Sequence, residues 1–161
     1  MQAREGYYTI NENGAATSAG AVNEVLASVG TYTVDASGAA TANGAVNNAV
    51  AAAGYYTVDA SGNPVSIGAV AVVQAAAGEF TVDSSGLAAS SGAVNVATVR
   101  DYYFATDANG DAVVVGGVNE GRSASACPNC AATEDCVDGY CVCKAGYGRL
   151  SSGCSACGLG Y

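Results

Sequence analysis

The first 121 residues repeat every 24 positions, and no other feature limits the folds open to this chain so strongly. Gly6, Gly30, Gly54 and Gly78 open four units, and a fifth opens at Tyr102 without the glycine. An aromatic follows two residues on, at Tyr8, Tyr32, Tyr56, Phe80 and Phe104. Next come an acid or amide (Asn11, Asp35, Asp59, Asp83, Asp107) and a turn glycine (Gly14, Gly38, Gly62, Gly86, Gly110). A further glycine then precedes Ala-Val or Gly-Val, at Gly20, Gly44, Gly68, Gly92 and Gly116. Five units in register cannot arise by chance. A single unit of this size cannot bury an apolar face alone, so neighbouring units must supply the core.

The first half of a unit predicts a strand and a turn. Tyr-Thr-Val-Asp is aromatic and β-branched with alternating sides. Asp-Ala-Ser-Gly supplies an Asx-type turn that ends on a residue tolerant of positive φ. The second half reads differently. Val22, Val25, Leu26 and Val29 fall at helical spacing, as do Val46, Ala49, Val50 and Ala53, and a glycine follows each set as a helix end prefers. The pattern is interrupted at Gln74, Thr98 and Asp101. The expected fold class is therefore a mainly β repeat array of strand-turn units, each with a short helix in its second half. A β-solenoid coil is the alternative.

Composition agrees with thin, closely stacked layers. The chain holds 22 glycines, two Phe, one Met and no Trp among 161 residues, so it lacks the large side chains of a thick core. Fourteen acidic residues outnumber five basic ones, a net charge of −9. That balance argues against nucleic acid and anionic membrane as partners, since both need a basic surface. No apolar run reaches the length of a membrane-spanning helix, so membrane insertion is not expected. The opening Met1-Gln2-Ala3-Arg4-Glu5 carries no secretory signal. A removed signal, or a chain that is a piece of a longer one, would account for that.

All seven cysteines lie between Cys127 and Cys157, and no His accompanies them. Such a cluster reads as disulfides formed in an oxidising, extracellular compartment. The expected organisation is five repeats over 1–121, a linker over 122–126 and a cysteine-rich module over 127–161. Cys141-Val-Cys143-Lys-Ala-Gly146-Tyr147 followed by Cys154 resembles the carboxyl half of EGF-like modules. In that resemblance the Cys-x-Cys pair sends two sulfurs to opposite sides of a short strand, and Gly146-Tyr147 makes the turn. The family's connectivity implies Cys127–Cys136, Cys130–Cys141 and Cys143–Cys154. The sequence departs from the family in placing only two residues between Cys127 and Cys130. Each bridge would contribute roughly 2–4 kcal/mol, which so small a module needs. Cys157 is left odd, unpaired or intermolecular. Its setting, Cys154-Ser-Ala-Cys157-Gly-Leu-Gly-Tyr161, is similar to tandem growth-factor-receptor-like cysteine-rich repeats of protist surface proteins. EGF-like modules beside repeats also recur in flagellar-hair (mastigoneme) fibre proteins, by analogy.

The same residues admit other chemistry. Cys127-x-x-Cys130 with Cys154-x-x-Cys157 could hold zinc, but that would strand Cys136, Cys141 and Cys143 as thiols. Asp107, Asn109 and Asp111 alternate as in a short calcium loop. The twelfth position holds Val118 rather than a bidentate Glu, and a solvated turn is the competing reading. Glu134-Asp135 hints weakly at the same chemistry. Without His there is no His-based proton relay, and no phosphate-cradling Gly-Lys-Ser/Thr loop or glycosidase carboxylate pair is evident. No catalytic residue, and no cofactor beyond that calcium candidate, is expected. No Asn-x-Ser/Thr acceptor occurs, while Ser and Thr leave O-linked glycans open. The expectation is a non-enzymatic extracellular structural protein, a homo-oligomer or fibre subunit. An adhesion or ligand-binding ectodomain with a repeat stalk is the alternative.

Overall fold

The structure is a computed structural model that describes residues 1–101, 103–122, 134–137, 140–144, 147–150 and 153–156. Among these residues it is all β, in fourteen strands of four residues and without a helix. The described chain falls into two compact regions, Met1–Arg100 with Phe104–Gly121, and Asp101–Tyr103 with Arg122–Tyr161.

In the first region every unit is an antiparallel hairpin. β1 (Tyr7–Ile10) pairs with β2 (Asn23–Leu26), β3 (Thr31–Val34) with β4 (Asn47–Val50), and β5 (Tyr55–Val58) with β6 (Ala71–Gln74). β7 (Glu79–Val82) pairs with β8 (Asn95–Thr98), and β9 (Tyr103–Thr106) with β10 (Asn119–Arg122). The register repeats with the sequence: Tyr8 faces Val25, Tyr32 faces Ala49, Tyr56 faces Val73 and Phe80 faces Ala97.

The predicted helix is overturned. The residues that carried its spacing stay in water: Val22 is 50% exposed and Val29 53%. A helix there would have had no apolar face to bury. The segment gains more by completing the ladder of the strand that opens its own unit. What recurs in the second halves is another set. Gly20-Ala21-Val22 returns as Gly44-Ala45-Val46, Gly68-Ala69-Val70 and Gly92-Ala93-Val94, and Ala27 returns as Ala51 and Ala75. Those positions form the joints between layers.

Two backbone contacts make each joint. The amide of Thr9 donates to the Ala45 carbonyl at 3.1 Å, Thr33 to Ala69 at 3.0 Å, Thr57 to Ala93 at 3.1 Å and Thr81 to Gly117 at 2.9 Å. The amide of Gly44 donates to Ala3 at 2.9 Å, and Gly68, Gly92 and Gly116 donate to Ala27, Ala51 and Ala75, each at 2.8 Å. Each unit thus bonds to the next and also to the one after it. Small residues line the seam because the backbones meet there. Ala27, Ala45, Ala51, Ala69 and Ala75 have no exposed surface.

Buried threonine completes the seam. Thr33, Thr57 and Thr81 are fully buried. Their hydroxyls donate to the Thr41, Val65 and Ala89 carbonyls, each at 2.6 Å. Among the described residues no buried side-chain polar atom lacks a partner. Valine at any of these sites would remove the donor to a part-buried carbonyl and cost about 1 kcal/mol.

The second region contains two further hairpins. β11 (Glu134–Val137) pairs with β12 (Tyr140–Cys143), and β13 (Tyr147–Leu150) with β14 (Gly153–Ala156).

Candidate functional site

The repeats are equivalent in sequence but not in burial, and that difference locates the site. Counterparts of Val22 become covered in steps: Val22 is 50% exposed, Val46 is half-buried, and Val70, Val94 and Val118 are 5–6% exposed. The position is covered where two earlier layers lie among the described residues, and partly covered where one does. The backbone tells the same story. Ala21 corresponds to Ala45 and Gly20 to Gly44, yet no described residue donates to the Ala21 carbonyl or accepts from the Gly20 amide. A Cβ on Gly20 would meet nothing within 4 Å, whereas one on Gly68 would touch Leu26 at 2.9 Å. Gly20, Ala21 and Val22 therefore form an open face with a ready donor, a ready acceptor and an apolar side chain.

At the other end of the array the complementary groups recur. Ala27, Ala51 and Ala75 give their carbonyls to a later glycine amide; the counterpart Val99 carbonyl has no such partner among the described residues. Thr9, Thr33, Thr57 and Thr81 donate to a later carbonyl; the counterpart is Ala105, whose amide lacks that contact among the described residues. The fifth unit has also lost the threonine hydroxyl that would reach toward a further layer.

Both terminal units carry an ion pair that the middle ones lack. Arg4 pairs with Glu24 and, four units later, Arg100 pairs with Glu120. Each glutamate also accepts from its arginine's own amide, at 3.0 and 3.1 Å. The intervening units hold Ser28, Ala52 and Ala76 opposite Asn48, Val72 and Val96. Each pair joins an exposed arginine to a largely covered glutamate. The sequence signal for this feature is Arg4 and Glu24 returning only as Arg100 and Glu120, a pattern that the stronger 24-residue period hides.

The proposed calcium residues belong to the turn. Asp107 Oδ1 accepts the Asn109 amide at 2.8 Å and the Asp111 amide at 2.9 Å. Asp35, Asp59 and Asp83 do the same with the residues two and four further on, and Asn11 matches them in the first unit. Since an uncharged side chain makes the same turn, the pattern needs no ion to explain it. Among the described residues no group of three His, Cys, Asp or Glu is placed to hold a metal.

Two of these turns hold their carboxyls below the ordinary value. The Ser37 hydroxyl, then the Ala39 and Ser37 amides, hold Asp35 below its ordinary value of 3.8. The Asn63 amide does the same for Asp59. A carboxyl with a lowered folded value stabilises the fold above its unfolded value and loses that contribution as pH falls through the folded one. Thermal midpoints should therefore drop on acidification below about pH 4. The Asp35→Asn, Asp59→Asn double variant should show a visibly shallower drop in thermal scans across pH 2.5–6 (about the carboxylate range), because asparagine keeps the turn. An unchanged slope would remove these carboxyls from the account.

Between successive units the turns line open clefts that recur along the array. One of about 380 Å³ includes Thr17, Asp35 and Asn47, and one of about 510 Å³ includes Ser66, Asp83 and Asn95. A third, of about 420 Å³, includes Ser90, Asp107 and Asn119.

In the second region Cys143 and Cys154 form a disulfide with Cα atoms 5.4 Å apart. It links β12 to β14. Cys141 is disulfide-bonded as well. Cys136 sits opposite Cys141 in the β11–β12 ladder, and its side chain is outside the described part. Cys127, Cys130 and Cys157 lie outside the described residues, so the implied Cys127–Cys136 and Cys130–Cys141 pairings do too. A disulfide is compatible with an extracellular location. Among the described residues no helix is long and apolar enough to cross a membrane.

The chain matches no protein-family model, no curated protein and no solved structure.

Proposed function

We propose that this chain is a non-catalytic structural subunit that assembles with further copies of itself in an extracellular fibre or surface appendage. The observation that carries the reading is the burial gradient from Val22 to Val70. A stack that covers its inner layers and leaves a first layer with unmet backbone groups favours addition of another layer. The cysteine-rich residues 127–161 fit the reading as an EGF-like module, suited to an oxidising exterior. The surface-exposed Ser and Thr would accept O-linked glycans there.

The recurring polar clefts favour a second reading, an adhesion or ligand-binding ectodomain with the array as its stalk. Negative-stain images and sedimentation over a wide concentration range separate the two. Linear assemblies that lengthen with concentration are expected. Discrete monomers at every concentration would contradict the first reading and leave the second.

A further inference from the structure

Three joints between successive units carry an open cleft, and each cleft holds polar groups that the fold leaves unused. The cleft between the third and fourth units is lined by Ser66, Asp83 and Asn95, among others. The hairpin register sets Asn95 opposite Val82, and so beside Asp83. Asn95 Oδ1 accepts the Val96 amide at 2.8 Å, which orients the side chain, while its NH2 has no partner among the described residues. One Asp83 oxygen accepts the Ser85 and Leu87 amides, and the other accepts from no described residue. The Ser66 hydroxyl is likewise unbonded among the described residues. Ser18, Asp35 and Asn47 repeat the arrangement between the first two units, and Ser90, Asp107 and Asn119 repeat it between the last two.

Stacking does not require these groups. Between the second and third units the corresponding places hold Ala42, Asp59 and Ala71. There the second oxygen of Asp59 is taken by the Asn63 side chain at 3.3 Å. That joint still makes the usual backbone bond, from Thr33 to Ala69 at 3.0 Å. The serine and the asparagine at the other three joints therefore serve something besides the stack. The cleft at Asp83 has complete units on both sides, so its opening does not come from an end of the array.

We infer that the clefts at Asp35, Asp83 and Asp107 bind a neutral glycan, each holding a short run of sugar units. The inference rests on the ligand-binding reading of the clefts and stands whether or not copies assemble. Their volumes of about 380, 510 and 420 Å³ are those of small-molecule sites. A free carboxylate oxygen beside a free amide NH2 suits two adjacent sugar hydroxyls, one donating and one accepting, and the serine hydroxyl can do either. Buried Val82 and Val94 line the cleft at Asp83 beneath these groups. No Lys or Arg lines any of the three clefts, and the chain carries a net charge of −9, so a sulfated or phosphorylated glycan is repelled. No aromatic side chain lines them either. A single cleft therefore binds weakly, and a glycan that reaches several gains by repetition.

The test titrates the full chain, labelled with nitrogen-15, with cellohexaose, maltohexaose and mannohexaose, and with dextran sulfate as the anionic probe. At least one neutral oligosaccharide should move the side-chain amide signals of Asn47, Asn95 and Asn119, while the Ala71 backbone amide stays still. The Ser66→Ala, Asn95→Ala double variant places at this joint what the chain already carries as Ala42 and Ala71, so it should keep the fold. Binding at that cleft, read at the Asp83 amide, should weaken about tenfold or more, with the Asn47 response unchanged. Should the double variant unfold by circular dichroism, Asn95→Asp retains an acceptor for the Val96 amide, removes the NH2 donor and is read in the same way. No movement with any neutral oligosaccharide, movement with dextran sulfate alone, or undiminished binding by the variant would overturn the assignment. None of these results decides self-assembly, which sedimentation reads separately.

Discussion

Alanine at Gly30 is expected to destabilise the chain by about 2–5 kcal/mol, whereas alanine at Gly38 costs about 1–2 kcal/mol. The two glycines are alike in conformation, with φ of +70° and +86°. The left-handed backbone therefore penalises both equally. Their surroundings differ. A Cβ on Gly38 meets nothing within 4 Å. A Cβ on Gly30 would lie 2.1 Å from the Gly92 carbonyl oxygen and 2.7 Å from its carbon. Gly92 cannot retreat without stretching its 2.8 Å bond to Ala51. Urea denaturation of the two variants checks this, and equal losses would show that the close approach of layers is not real. Gly54 should behave as Gly30 does, since its Cβ would lie 2.3 Å from the Gly116 oxygen.

Removing one whole unit should be tolerated, and removing half of one should not. Deleting Gly54–Ala77 takes out a complete repeat and joins Ala53 to Gly78, so the chain keeps its period across the new junction. Threonine amides, glycine amides and opening glycines then still find equivalent partners one and two units away. The remaining four units should unfold cooperatively, with stability lower by about 1–4 kcal/mol for the lost layer. Deleting Gly54–Val65 removes half a unit and sets strand positions against turn positions across every later joint. That variant should lose its β circular dichroism and its cooperative transition. Two deletions with the same behaviour would mean that layers do not communicate through a fixed register.

Much of this was legible in the sequence, and the rest was hidden for physical reasons. The 24-residue period, the opening strand and the Asx turn were visible because Asp35-Ala-Ser-Gly38 and its counterparts encode a local structure. The second half misled. Val22, Val25, Leu26 and Val29 happen to fall at helical spacing, and Gly30 looks like a helix end. The informative pattern ran across units instead of along one. Gly20, Ala21, Val22 and Ala27 recur because layers meet there, and Gly30 recurs because a backbone oxygen lies where its Cβ would be. A period does not say which layers touch, so neither the bond from Thr33 to Ala69 nor the approach of Gly30 to Gly92 could be read from spacing. The open face was invisible for the same reason: Val22 and Val70 are the same residue in the same motif, and only stacking distinguishes them. Asp107, Asn109 and Asp111 suggested an ion because alternating oxygens serve both ion loops and Asx turns.

The central claim is that the repeats form a layered stack with its first layer open. Amide hydrogen exchange at five equivalent glycines tests it most directly. In dilute solution the Gly68, Gly92 and Gly116 amides, each bonded at 2.8 Å to an earlier layer, should exchange slowly. The Gly20 amide should exchange at nearly the rate of an unfolded chain, with Gly44, held by the terminal Ala3, between them. Equal protection at all five, or none at any, would contradict the account.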